Sequence, residues 1–218
     1  RQGQQRAALI NPGKVMERAF PGDAPHKGGT TYLSVSDANG MMVSLIQSNY
    51  AGMGSGLMAD GLGFSFQNRG SGFSLHDGSP NLYQPNKRPF HTIIPGFALK
   101  DGAPWLSFGV MGGGMQPQGQ TQIITNMEDY DLGLQAAGDC PRWRHDGSSE
   151  PTGVYRPGIG ELRLENGIPD ATKAELAAMG WKVGGTDGGF GGYQATMKTD
   201  EAYGAASEMR KDGLALAI

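Results

Sequence analysis

The chain has 218 residues, 38% of them apolar, which suffices for one domain with its own core. Its net charge of −3, with both signs interspersed, excludes the basic face of a nucleic-acid binder, and no stretch is long and apolar enough to span a bilayer. The 37 glycines, against a usual share of roughly 7%, alternate with strand-like and aromatic segments, so they read as tight turns and close backbone approaches in a sheet-rich fold.

Residues Arg1 to Ile10 carry no apolar signal-peptide core and no initiator methionine, so the sequence is expected to start inside a longer precursor. Residues 1–12 read as a short helix and loop. Residues 13–29, with Pro21, Gly22, Pro25, Gly28 and Gly29, read as an exposed tail. Thr31–Ser36 and Met41–Ser48 are strand-like, and Asp37-Ala38-Asn39-Gly40 between them is a tight-turn sequence. Leu62–Gln67 alternates apolar with polar or small residues and predicts another strand. Asp77–Pro89 reads as a long loop. Thr92–Leu99 and Trp105–Val110 flank Lys100-Asp101-Gly102-Ala103-Pro104, a second hairpin.

After Gly112-Gly113-Gly114, Gln118–Tyr130 has helical spacing at Ile123, Ile124, Met127 and Tyr130. Leu134–Ala137 predicts a second short helix. Asp170–Met179 predicts a third, with Asp170 at its N-cap and Gly180 just past its end. Tyr193–Met197 and Tyr203–Ala206 close the chain as strands. Hairpins with grouped helices predict an α+β fold of antiparallel sheets with helices on their outer faces.

Cys140 is the only cysteine, so there is no internal disulfide, and no base stands beside it in sequence. It reads as a small buried residue. His26, His76, His91 and His145 are scattered without ligand spacing, so no metal or other cofactor is expected.

The stretch His26-Lys27-Gly28-Gly29-Thr30-Thr31 carries the chemistry. A hydroxyl after two small residues can attack the peptide bond before it. Cleavage between Gly29 and Thr30 would leave Thr30 with a free α-amine beside its hydroxyl, a nucleophile and a base in one residue. On those residues alone, Thr-Thr is ordinary strand chemistry and Gly-Gly an ordinary loop.

The longer pattern decides between these. Thr30 to Gly40, Ser48-Asn49-Tyr50 and Gly52-Met53-Gly54-Ser55-Gly56 resemble the start of the small subunit of γ-glutamyltransferases. Pro85-Asn86-Lys87-Arg88-Pro89, Phe108 to Gly114, Ala137 to Trp143 and Gly204-Ala205-Ala206-Ser207 follow in the family's order. The resemblance covers about residues 1–213. It implies an αββα sandwich of the N-terminal-nucleophile hydrolase type, made as one precursor that cuts itself before Thr30. Residues 1–29 would then be the tail of a large subunit, and 30–218 the small-subunit catalytic region. The partners implied are that large subunit and a small-molecule amide. The compartment, cytoplasmic or periplasmic, is left open.

By the same resemblance Thr30 is the nucleophile and its α-amine the base. Ser48, eighteen residues on, matches a threonine that orients the nucleophile. Gly112 and Gly113 match the pair whose amides form the oxyanion hole. The substrate-binding positions depart from the family. Tyr50 replaces an asparagine, Arg69 stands where an amide or acid is usual, and Gly72 stands where an aspartate would pair with the α-ammonium. His91-Thr92 replaces a serine pair. Arg69 adds a fork suited to a carboxylate, or else is structural and paired with Asp60 or Asp77. The substrates expected are γ-glutamyl or, better, glutaryl-type amides. The competing reading is a silent paralogue or unprocessed fragment with a binding role.

Overall fold

The computed structural model describes residues 30–147, 160–186 and 188–217. The helix expected in 1–12, the tail 13–29 and the cleavage residue Gly29 lie outside the described residues. In chain order the strands are β1 (Thr30–Ser36), β2 (Met42–Ser48), β3 (Gly96–Lys100), β4 (Ala103–Met111), β5 (Trp143–Asp146), β6 (Glu161–Leu164), β7 (Val183–Gly184), β8 (Gly192–Lys198) and β9 (Tyr203–Ser207). The helices are α1 (Met115–Glu128), α2 (Leu134–Asp139) and α3 (Asp170–Ala178). Arg69–Gly72 forms a single 3-10 turn.

β1 and β2 make an antiparallel hairpin that sets Thr30 opposite Ser48. Its turn is held by Asp37, whose Oδ1 accepts the amides of Asn39 and Met41, both at 2.9 Å. A short polar side chain that bonds its own backbone ahead is what makes Asp a turn former. The second sheet has the order β3-β4-β8-β9, all antiparallel. Its β3-β4 connection is the two-residue turn Asp101-Gly102, both with positive φ (53° and 80°), the conformation whose twist matches a hairpin.

β4 is buried on both faces, so its alternation separates two interfaces. Leu106, Phe108 and Val110 pack with Tyr193, Ala195 and Ala206 against Ile123 and Met127 of α1 and Ala137 of α2. Ser107 and Gly109 face the hairpin. A side chain at Gly109 would come within 2.4 Å of the Tyr32 ring, so glycine there lets the two sheets close.

The seam between the sheets is a hydroxyl network. Ser34 Oγ bonds Ser107 Oγ at 2.8 Å and Thr196 Oγ1 at 2.7 Å, and Tyr32 Oη bonds Ser44 Oγ at 2.7 Å. Burial raises the Tyr32 phenol above the ordinary tyrosine range, although its bonds to Ser107, Ser44 and Ser34 pull the other way. Hairpin, four-stranded sheet and helices thus stack as β, β and α layers. The hairpin's other face presents Leu33, Val35, Val43 and Leu45, each 44–49% exposed.

Several expectations are corrected. Leu62–Gln67 is not a strand: it pairs with the turn-rich segment 55–59 through the bridge Met58–Ser65 and the bonds Ser55 N to Phe66 O, Phe66 N to Leu57 O and Ala59 N to Phe64 O, too short a ladder to make a strand. The strand expected at Thr92–Leu99 begins at Gly96, and the helix expected at Gln118–Tyr130 runs Met115–Glu128. Asp170 is the first helical residue of α3 and pairs with Lys173, while Pro169 takes the N-cap position without a side-chain bond. The β5-β6-β7 sheet was not anticipated, and β6 and β7 run parallel rather than antiparallel. Gln118 and Gln122 on α1 tie it down, each bonding both the carbonyl and the amide of one β5 residue, His145 and Trp143. Cys140 is half-buried, and its carbonyl accepts from Arg210.

Candidate active site

Thr30 opens β1 with its side chain on the face that packs toward the second sheet. Thr30 Oγ1 donates to Ser48 Oγ at 2.8 Å, the approach that the hairpin register makes available. Ser48 Oγ also accepts the backbone amide of Tyr50 at 2.9 Å. With two bonds accepted, the Ser48 hydroxyl still holds a proton it can turn toward Thr30. Tyr50 has φ +73°, a conformation side-chain-bearing residues seldom adopt, and this bend brings its amide back to Ser48.

Gly112 (φ 141°) and Gly113 (φ 60°) form the turn from β4 into α1. Their carbonyls accept the amides of Met115 and Gln116, and their own amides donate to no described residue. Met111, just before the turn, lines the same cavity of about 470 Å³ as Thr30, together with Gln194, Thr196 and the segment 211–216. Two adjacent free amides on a side-chain-free turn can aim at one developing oxyanion.

Arg69 is 3% exposed. Its Nη1 donates to Thr92 Oγ1 at 3.2 Å, its guanidinium sits 5.1 Å from the centre of the Tyr50 ring, and its Nε has no partner among the described residues. Burial lowers the guanidinium below its usual value, with Tyr50 acting in the opposite sense. Among the described residues Arg69 forms no ion pair, so the expected pairing with Asp60 or Asp77 is absent. His91 is exposed and bonds to neither Arg69 nor Tyr50. Gly72 closes the 3-10 turn, and its carbonyl accepts from Asn81 Nδ2. Among the described residues no three His, Cys, Asp or Glu side chains converge as a metal site.

Residues 1–218 match the sequence model of the family described as Gamma-glutamyltranspeptidase. The chain belongs to this family. It is 38% identical over 209 residues to the glutathione hydrolase-like YwrD proenzyme of Bacillus subtilis, covering 92% of this chain and 38% of that protein. It is 35% identical over 159 residues to the oxamate amidohydrolase proenzyme of Klebsiella pneumoniae, covering 72% of this chain and 28% of that protein. Among solved structures it resembles the cephalosporin acylase of Bacillus halodurans, with TM-score 0.73 and 39% identity over 84% of this chain and 33% of that one. The chain thus spans well under half the length of the curated relatives it matches. This likeness places the β, β and α layers in the αββα sandwich of N-terminal-nucleophile hydrolases.

Sequence reasoning missed what stands behind the glycine turn of this γ-glutamyltranspeptidase relative. Gly191 (φ +80°) packs on Met111 and Gly112, close enough that a side chain on Gly112 would meet the Gly191 Cα at 3.0 Å. The Gly191 segment is held by two arginines. Arg142 Nη1 donates to Phe190 O at 2.8 Å and Arg144 Nη1 to Gly189 O at 2.8 Å. Arg142, 1% exposed, lies 3.5 Å from Glu208 Oε2, and Arg210 bridges Glu208 to Glu165. The available signal was the glycine run Gly188-Gly189-Phe190-Gly191-Gly192.

Proposed function

We propose that the chain is the small-subunit region, 30–218, of a self-cleaving N-terminal-threonine amidohydrolase or acyltransferase, with 1–29 as the tail of the large subunit. It would act on γ-glutamyl or glutaryl-type amides through an acyl-Thr30 intermediate. The observation that carries this reading is the 2.8 Å bond from Thr30 Oγ1 to Ser48 Oγ at the first position of β1. A nucleophile at a strand's first residue becomes a chain terminus when the preceding bond is cut. The relatives named above are called proenzymes and hydrolases, and oxamate is itself an amide that carries a carboxylate.

In this mechanism the freed α-amine of Thr30 takes the Oγ1 proton, and Oγ1 attacks the amide carbonyl carbon. Ser48 keeps Oγ1 in place and supplies its own proton as a hydrogen bond while charge builds. The amides of Gly112 and Gly113 bind the carbonyl oxygen as it becomes an oxyanion. The C–N bond breaks, and the leaving amine takes the proton held by the α-ammonium. Water or an acceptor amine then attacks the acyl-Thr30 ester, giving up its proton to the same amine, and Thr30 is regenerated. Arg69, Tyr50, Thr92 and His91 are the substrate-binding positions of this reading.

The large subunit is proposed as the partner that covers Leu33, Val35, Val43 and Leu45. Such an apolar stripe on one sheet face needs a covering layer. The deciding experiment is the intact mass of the full-length protein, purified as wild type and as T30A. Wild type should be cut between Gly29 and Thr30 with both pieces co-purifying, and T30A should stay whole. An uncut wild type leaves Thr30 without its amine and favours the silent paralogue.

A further inference from the structure

We propose that Arg69 is the receptor for a carboxylate at the far end of the acyl group, and that the preferred donors are monoamides of dicarboxylic acids lacking an α-ammonium. This rests on the acyl-Thr30 reading above and narrows its substrate class.

The argument begins with a contrast between arginines. Arg142 is also buried and Arg210 is half-buried, and the fold supplies each with acid: Glu208 for the first, Glu208 and Glu165 for the second. Arg69 is buried like Arg142 and has only the Thr92 hydroxyl and the face of Tyr50 among the described residues. A buried charge without a counter-charge is costly, and the cost is recovered when a ligand brings the missing anion. Among the described residues Arg69 Nε, like Arg142 Nε, has no partner, so the contrast lies in the missing acid, and the Arg69 fork keeps one donor unused.

The surroundings fix that fork relative to the nucleophile. Tyr50 contacts both sides: its amide holds Ser48 Oγ, which bonds Thr30, and its ring lies over the Arg69 guanidinium. The backbone of Arg69 is held in turn by Gln67, whose Oε1 accepts the Arg69 amide. A positive charge therefore stands at a set place on the Tyr50 side of the Thr30–Ser48 pair. An α-ammonium needs an anion, and the same turn offers none: Gly70, Ser71 and Gly72 carry no carboxylate, and among the described residues no acid pairs with Arg69. A γ-glutamyl group would bring its ammonium close to this uncompensated cation, whereas a glutaryl group brings only the carboxylate.

The test uses the full-length protein, as wild type, R69Q and R69K. Hydrolysis of glutaryl, γ-glutamyl and pentanoyl p-nitroanilides is compared, the last being a neutral analogue. Wild type should prefer the glutaryl to the γ-glutamyl anilide by at least about tenfold. R69Q should lose about 100-fold in kcat/KM on the glutaryl anilide, mainly through KM, and stay within about threefold on the pentanoyl anilide. R69K should recover part of the loss, because it keeps the charge without the fork.

Equal losses on all three substrates, or a wild type faster on γ-glutamyl, would overturn the proposal. Glutarate binding by calorimetry and melting temperature separate this from failure of the catalytic reading. If no substrate is turned over, that reading fails, and Arg69 is judged on binding alone. Glutarate that binds and stabilises wild type but not R69Q supports the receptor role. No binding, or equal binding to both, refutes it. Without ligand, R69Q should melt no lower than wild type, since it removes an uncompensated charge; a marked drop would make Arg69 a structural residue.

Discussion

Gly191 sits against Gly112 so closely that a methyl group on Gly112 would press on the Gly191 Cα at 3.0 Å. A Cβ on Gly191 would lie 2.6 Å from Val110 Cγ1 and 2.7 Å from the Met111 carbonyl oxygen, at a φ of +80°. The proposed oxyanion turn is therefore shaped from behind by a segment about eighty residues away in sequence.

G191A should cost about 1–3 kcal/mol of stability through overpacking. Because the clash displaces Met111 and with it the turn, kcat should fall by about 100-fold while KM changes little. Denaturant melts and steady-state kinetics on the processed enzyme check this. A folded G191A with wild-type kcat would show that the turn's position does not matter to the reaction.

Ser48 is expected to act through its hydroxyl alone. S48A should lower kcat by about 10- to 100-fold, since Thr30 Oγ1 and the Tyr50 amide both lose their partner. S48T keeps the oxygen and should retain most activity. If S48A and S48T are equally impaired, the site is sensitive to shape and not to that hydrogen bond.

A free α-amine as base sets the sign of the pH dependence. An amine accepts a proton only when neutral, so kcat/KM should rise with pH through a value near the reference range of about 7.7–8.0. A pH–rate profile on the processed enzyme reads it directly. A profile flat from about pH 6 to about pH 9 would remove the amine from that role.

Glu165 makes the acid side of stability testable. Burial pushes its carboxyl up, but the hydrogen bonds from Arg210 and the Arg142 amide, with both arginine charges, prevail and hold it below the usual glutamate range. A carboxyl whose folded pKa is depressed contributes stability in full above its unfolded value, near 4.5, and loses it as pH falls through the folded value. E165Q should be less stable than wild type by about 1–3 kcal/mol at neutral pH. The gap should close on going well below pH 4.5, as wild-type Glu165 becomes protonated. Melting curves of the two proteins across that window decide it, and a gap independent of pH would mean the charge of Glu165 contributes nothing.

The sequence by itself determined whatever is local. The Asp37–Gly40 turn fixes the register of β1 and β2, so the meeting of Thr30 and Ser48 follows from one contiguous stretch, 30–48, and the glycines of 112–114 mark a turn wherever they are placed. The αββα class was legible because its ordered blocks run along the whole chain. Leu62–Gln67 differs from its reading because alternation shows which face could be buried, while a strand also needs a ladder longer than the single bridge that 55–59 offers it. β5, β6 and β7 went unseen because runs of two to four residues are too short to display a period. Only the tertiary structure decided that Arg69 is buried with no acid paired to it among the described residues, that the Tyr50 ring lies over it, and that Arg142 and Arg144 hold Gly189 and Phe190 behind the glycine turn. Burial and ion pairing depend on which distant segments share a volume, and that follows from the packing of the whole chain rather than from any residue's neighbours in sequence.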